Sequence, residues 1–188
     1  MKHLEPRKIV LIGASTGGPG QIQKIISSLP KLQNTTIVIA QHMVDGFMQS
    51  FANGLQNLSH NSISVIKNNQ IFEKNNIYVC EGETKLTNNN LSKIKSSSDS
   101  YNPNINILFN SFAPLAKDTQ ILCVILTGIG DDGVEACKNL SLNGARCITE
   151  GQESAIVDGM PSRARAFVPN IEVYNIETVI KKISEFCE

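Results

Sequence analysis

Three short segments of this sequence carry side chains that together can perform acyl-transfer chemistry. Gly13-Ala14-Ser15-Thr16-Gly17-Gly18 offers a hydroxyl and Gln41-His42-Met43 an imidazole. Thr127-Gly128-Ile129-Gly130-Asp131-Asp132-Gly133 offers two adjacent carboxylates. Each segment directly follows a short apolar run that reads as a buried strand. A hydroxyl, an imidazole and a carboxylate are the parts of a nucleophile, its base and the group that orients the base. Ser15 lies in a G-x-S-x-G arrangement, the tight strand-to-helix turn that holds a serine hydroxyl clear of the backbone. The helix after such a turn supplies free amides and partial positive charge for an oxyanion.

Taken singly, each residue has an ordinary reading. A serine beside glycine serves as a turn residue or helix cap, and an aspartate beside glycine is usually a solvated turn. His3 and His60 lie in polar stretches and read as surface residues, whereas His42 directly follows a buried run. The convergence of three separate loops favours a site. Two rival chemistries fail on the residues. A dinucleotide-binding oxidoreductase could use the glycine-rich first loop to hold phosphates. Its second strand would end in an acid for the ribose, yet here it ends in Gln41-His42. None of Tyr78, Tyr101 and Tyr174 has a lysine four residues on, so the short-chain dehydrogenase pair is missing too. A standard α/β-hydrolase orders its triad serine, acid, histidine, but no histidine follows His60.

Loops of this kind need a scaffold that brings strand ends together. Apolar runs at residues 8–13 (KIVLIG), 36–40 (TIVIA), 62–66 and 121–126 (ILCVIL) predict buried strands, with shorter ones at 145–149 and 172–174. Apolar residues at helical spacing predict helices over 19–29, from Phe47 to Leu58, over 105–115, 134–142 and 176–186. The alternation implies an α/β fold, a doubly wound, mostly parallel sheet with helices on both faces. A polar, Asn-rich stretch predicts a β-hairpin excursion around residues 77–95. In such a sheet, ligands gather beyond the carboxyl ends of the strands, where all three loops fall.

Composition bounds the partners. The 188 residues fit one domain, 1–188, with 41% hydrophobic and 18% charged residues, a globular balance. Seventeen basic and seventeen acidic residues cancel, which argues against a nucleic-acid groove or a membrane-surface patch. No apolar run could span a bilayer, and residues 1–8 lack the apolar core of a signal peptide, so a cytoplasmic location is expected. The five cysteines contain no C-x-x-C pair, so no structural metal is expected. Cys123 and Cys147 read as core residues, and Cys187 at the tail as exposed and oxidisable.

The three loops together resemble the catalytic domain of the chemotaxis protein-glutamate methylesterase family. That family shows IGASTGG after its first strand, QHM with a following F-x-x-S-F-A after the second, and TGMGxDG late in the chain. These stand here at residues 12–18, 41–43 with 47–52, and 127–133. The stretch PNINILFNS at 103–111 is similar to the family's P-S-V-D-V-L-F-x-S, and Gly159-Met160-Pro161 to its GMP. The resemblance implies Ser15 as nucleophile, His42 as general base and Asp132 as orienting acid, with Asp131 at the family's variable position. It also implies oxyanion stabilisation by the backbone amides of Thr16 and Ile129, the latter in place of the usual methionine. Asn106 replaces a family Asp, and Cys80-Glu81-Gly82 through Lys85 departs from a stretch usually reading A-P-G with a later histidine.

The implied activity is demethylation of glutamate methyl esters on the cytoplasmic helices of chemoreceptors, with methanol release and, in some members, receptor glutamine deamidation. This chemistry uses no metal or organic cofactor. The alternative is a catalytically silent module of the same fold that docks on receptors or signalling kinases. Family members usually carry an N-terminal phosphorylatable receiver domain and linker, whereas this sequence enters its first strand at Lys8.

Overall fold

A computed structural model describes residues 8–44, 46–95 and 101–188. His3 and the polar leader around it lie outside that set. Seven strands form one sheet in the order β10-β9-β8-β1-β2-β5-β3. They are β1 (Lys8–Ala14), β2 (Thr35–Gln41), β3 (Ser62–Val65), β5 (Asn76–Val79), β8 (Gln120–Ile125), β9 (Arg146–Glu150) and β10 (Glu172–Tyr174). Every pairing within this sheet is parallel.

The central strands are apolar throughout because both of their faces are covered. Along β1, Ile9 and Leu11 face one core and Val10 and Ile12 the other, all fully buried. The first core is closed by α3 (Ile105–Phe112), α4 (Val134–Leu142) and α5 (Gly159–Phe167). The second is closed by α1 (Gly18–Ser28), α2 (Met48–Gln56) and α6 (Ile176–Cys187). Alternation along each strand thus feeds two separate cores, the reason for β-branched runs without polar interruption. Chain order reverses at β1, which has β2 on one side and β8 on the other. That reversal is the switch point at which such sheets open a crevice.

Three features differ from the sequence expectation. The hairpin is narrower than 77–95, because Asn76–Val79 pairs in parallel with β2 and β3 inside the main sheet. The excursion itself is, as expected, a β-hairpin, made by β6 (Thr84–Thr87) and β7 (Asn90–Lys93) and widened to a small antiparallel sheet by β4 (Gln70–Ile71). Helix α5 gave no sequence signal, since it opens Gly159-Met160-Pro161 and buries only Met160, Pro161 and Ala164. Proline in the first turn costs no intrahelical hydrogen bond, so the helix tolerates it. Finally, Cys187 is fully buried at the end of α6, and burial pushes its thiol up to about 12. It is neither exposed nor prone to oxidation as a thiolate.

Cys123 and Cys147 are core residues as expected, facing each other across β8 and β9. Together with Cys137 of α4 their sulfurs lie within 4.8 Å of one another, a grouping that no sequence spacing indicates. Burial pushes the Cys123 thiol well above its ordinary range, which favours a neutral thiol in this apolar core.

Candidate active site

Strand register places the first two loops side by side. Ala14 and Gln41 are opposite one another at the ends of β1 and β2, so Ser15 and His42 leave the sheet as neighbours. The His42 amide donates to the Ala14 carbonyl (2.9 Å), extending the ladder by one residue. The third loop leaves β8 on the other flank of β1. Its Gly128 packs so closely on the loop carrying Ser15 that a Cβ there would lie 2.7 Å from Ser15 Cβ and 2.3 Å from Met160 Sδ. Only glycine lets the two loops meet.

Asp132 is 1% exposed, and its carboxylate accepts three hydrogen bonds. Oδ2 accepts from His42 Nε2 (2.7 Å) and the Ile105 amide (2.8 Å), and Oδ1 accepts from the Asn106 amide (2.9 Å). Ile105 and Asn106 open α3, where unpaired amides and the helix dipole favour an anion. Asn106 spends its own side chain on α4, with Oδ1 accepting from the Ala136 amide (2.9 Å). Asp131, by contrast, is exposed and borders a cleft of about 520 Å³ shared with Asn106, Glu135, Lys138 and Phe167.

His42 is held in the plane as well as at its edge. The Tyr101 ring stacks parallel on the imidazole, with centroids 4.9 Å apart and planes 2° from parallel. With Nε2 engaged by Asp132, Nδ1 is the nitrogen available to Ser15. Among the described residues, the Ser15 hydroxyl makes no hydrogen bond to His42, whose ring bonds Asp132. Nucleophile–base contacts of this kind commonly tighten only when substrate binds.

The backbone around Ser15 is clamped from two directions. The Ser15 amide donates to the Thr127 carbonyl (3.0 Å), and Thr127 Oγ1 donates to the Thr16 carbonyl (2.9 Å). Thr127 is itself fixed, because its amide donates to Oε2 of the fully buried Glu150 (3.0 Å). Glu150 Oε1 accepts from Gln21 Nε2 (2.6 Å) and the Ser154 hydroxyl (2.9 Å). Burial nonetheless raises the Glu150 carboxyl above its ordinary value. Among the described residues, the Thr16 and Ile129 amides have no partner in the chain. Both remain available to a ligand.

The structure therefore brings His42 and Asp132 into contact, sets Ser15 beside them, and leaves His60 exposed elsewhere. Sequence reasoning missed Tyr101, Glu150 and the α3 amides as parts of this assembly. It gave Gln41 no role, although the residue directly precedes His42.

A family model described as CheB methylesterase matches residues 10–183. The chain belongs to the CheB methylesterase family. Within that family it is 33% identical over 191 residues to the protein-glutamate methylesterase/protein-glutamine glutaminase of Bacillus subtilis strain 168, covering 95% of this chain and 52% of that protein. It is 34% identical over 173 residues to a probable protein-glutamate methylesterase of Borreliella burgdorferi, covering 87% of this chain and 46% of that one. The chain thus spans about half the length of the curated relatives it matches. The crystal structure of the Thermotoga maritima CheB methylesterase catalytic domain superposes with a TM-score of 0.83 at 27% identity, covering 95% of this chain and 97% of that chain. The doubly wound fold is that of the CheB catalytic domain.

Proposed function

We propose that this chain is a serine hydrolase that removes methyl groups from glutamate γ-methyl esters on chemoreceptor helices. The observation that carries this reading is the His42–Asp132 hydrogen bond, built on a buried carboxylate, with Ser15 beside it at the next strand end. Ser15 Oγ attacks the ester carbonyl while His42 Nδ1 takes its proton. Asp132, bonded to Nε2, fixes the tautomer and stabilises the imidazolium. The carbonyl electrons move onto oxygen, and the free Thr16 and Ile129 amides are the donors suited to receive that charge. Collapse expels methoxide, which takes the proton from His42 and leaves as methanol. Water, deprotonated by His42, then cleaves the acyl-enzyme and regenerates Ser15.

A macromolecular substrate fits the surroundings. Phe47 and Ile129 on the loops that carry the site, with Tyr101 against His42 and Ile156 against Gly17, are between 46% and 68% accessible, an apolar rim suited to a helix surface. No helix among the described residues is long and apolar enough to cross a membrane. The same attack on a glutamine γ-amide would release ammonia, in keeping with the second activity in the name of the B. subtilis relative. The rival reading, a silent module docking on receptors or signalling kinases, predicts binding without turnover. Methanol release from methylated receptor by the purified chain, lost in Ser15→Ala, supports the esterase. Receptor binding with no methanol release supports the silent module.

A further inference from the structure

We infer that Gln41 is a positioning residue for this reaction, a side-chain bridge that holds the backbones of Ser15 and His42 in register. The inference rests on the Ser15–His42–Asp132 reading and deepens it. Gln41 ends β2 and is 2% exposed. Its Nε2 gives one proton to the Ser15 carbonyl (2.9 Å) and the other to the His42 carbonyl (2.8 Å). One buried amide group thus ties the nucleophile's peptide to the base's.

The other half of the same amide has no partner. Gln41 Oε1 is a buried acceptor without a hydrogen bond among the described residues. An unpaired buried carbonyl costs free energy, and a residue kept for stability alone would satisfy both ends. Turning the amide over would set Oε1 against two carbonyl oxygens, so the two acceptors dictate its orientation. Polar groups left unsatisfied in this way collect at functional sites.

The consequence lies in the peptide between Ser15 and Thr16. Its carbonyl is held by Gln41 Nε2 and by the Gly18 amide (2.8 Å). The peptide is trans, so the Thr16 N–H points opposite to that carbonyl. Gln41 thereby aims the amide proposed to receive the oxyanion, while its second bond fixes the peptide carrying His42. Gly18 completes the device, since a Cβ there would lie 2.0 Å from Gln41 Oε1 and also 2.7 Å from Ala14 Cβ. A side chain at 18 would push the bridge out of place.

The test uses steady-state demethylation of methylated receptor by parent, Gln41→Met, Gln41→Glu, Gly18→Ala and Ser15→Ala, with circular dichroism and melting temperature for each. Loss of one oxyanion donor costs about 10²–10³-fold in kcat. Gln41→Met, which fills the space without donors, is expected to lose at least about 30-fold in kcat with KM held within about threefold. Gly18→Ala is expected to show the same split, and Gln41→Glu, which keeps the shape but loses both N–H donors, supplies the answer if Gln41→Met does not fold, since Gly18→Ala also presses on Ala14. A folded variant whose kcat stays within about threefold of the parent, or whose loss appears only in KM, overturns the inference. If Ser15→Ala is dead while the neighbouring variants are fully active, only the positioning role fails. If Ser15→Ala is itself active, the nucleophile reading fails and the positioning role with it.

Discussion

Asp132 Oδ2 lies 2.7 Å from His42 Nε2 and 2.8 Å from the Ile105 amide, so one carboxylate joins the His42 ring to the start of α3. Asp132 is anchored by the first amides of α3 and the His42 ring rather than by solvent, so its buried oxygens are all hydrogen-bonded. Its neighbour Asp131 points to water. Asp132→Asn sets an amide donor where an acceptor is needed and imposes the wrong histidine tautomer. Loss of the acid's charge in a comparable triad costs ~10⁴-fold in turnover. Asp131→Asn is expected to change the rate by about tenfold or less, since it lies outside the catalytic hydrogen-bond chain. Ester hydrolysis by the two variants, with folding checked by circular dichroism, decides the assignment; a crippled Asp131→Asn would reverse it.

Ser15 is half-buried, and its hydroxyl makes no hydrogen bond among the described residues. Ser15→Ala should therefore leave stability within about 0.5 kcal/mol while removing esterase activity by several orders of magnitude. Denaturant melts and methanol release on the same preparation check both halves. Near-normal turnover in a folded variant would sink the nucleophile assignment.

The Tyr101 ring on His42 makes a separable contribution. Stacked aromatic pairs contribute about 0.5–1.5 kcal/mol beyond area burial, so Tyr101→Ala is expected to lower kcat/KM by roughly two- to twelvefold. Tyr101→Phe keeps the ring and should match the parent. Equal losses in both variants would assign the effect to the hydroxyl instead of the stack.

Glu150 gives a pH signature in stability. Its carboxyl is raised above the ordinary 4.5 because burial outweighs the Ser154, Thr127 and Gln21 hydrogen bonds. The folded state then holds this proton more tightly than the unfolded state, so stability falls as pH rises from about 4.5 through the raised value. Above that value the cost is constant. Glu150→Gln removes the titration, and its melting temperature should fall less than the parent's across that window. Parallel melting curves of the two proteins from pH 4 to 7 would refute the shift.

Much of this protein is readable along the chain. Apolar runs such as KIVLIG and ILCVIL are short, β-branched and end at loops, and no polar side interrupts them, so they read as strands covered on both faces. The loops bearing Ser15, His42 and Asp132 directly follow such runs, so strand-end chemistry was visible before any contact was known. Local signals failed where a role depends on partners distant in sequence. Asn76–Val79 looked like half of a hairpin, yet it is a parallel strand inserted between β2 and β3. Parallel pairing leaves no turn residue to announce it.

The choice between Asp131 and Asp132 is likewise not a property of the loop's composition. It follows from which carboxylate faces the first amides of α3, 27 residues away for Ile105. Gln41, Tyr101 and Glu150 bear on the site through atoms supplied by other strands and loops, and a sequence lists residues without those distances. The two-faced sheet and the three loops are legible in the chain, because periodicity and glycine placement are local physics. Which of the two aspartates is buried, which ring covers His42 and which amides stay free are set by tertiary packing. Those outcomes depend on how separate elements share hydrogen bonds in a space that excludes water.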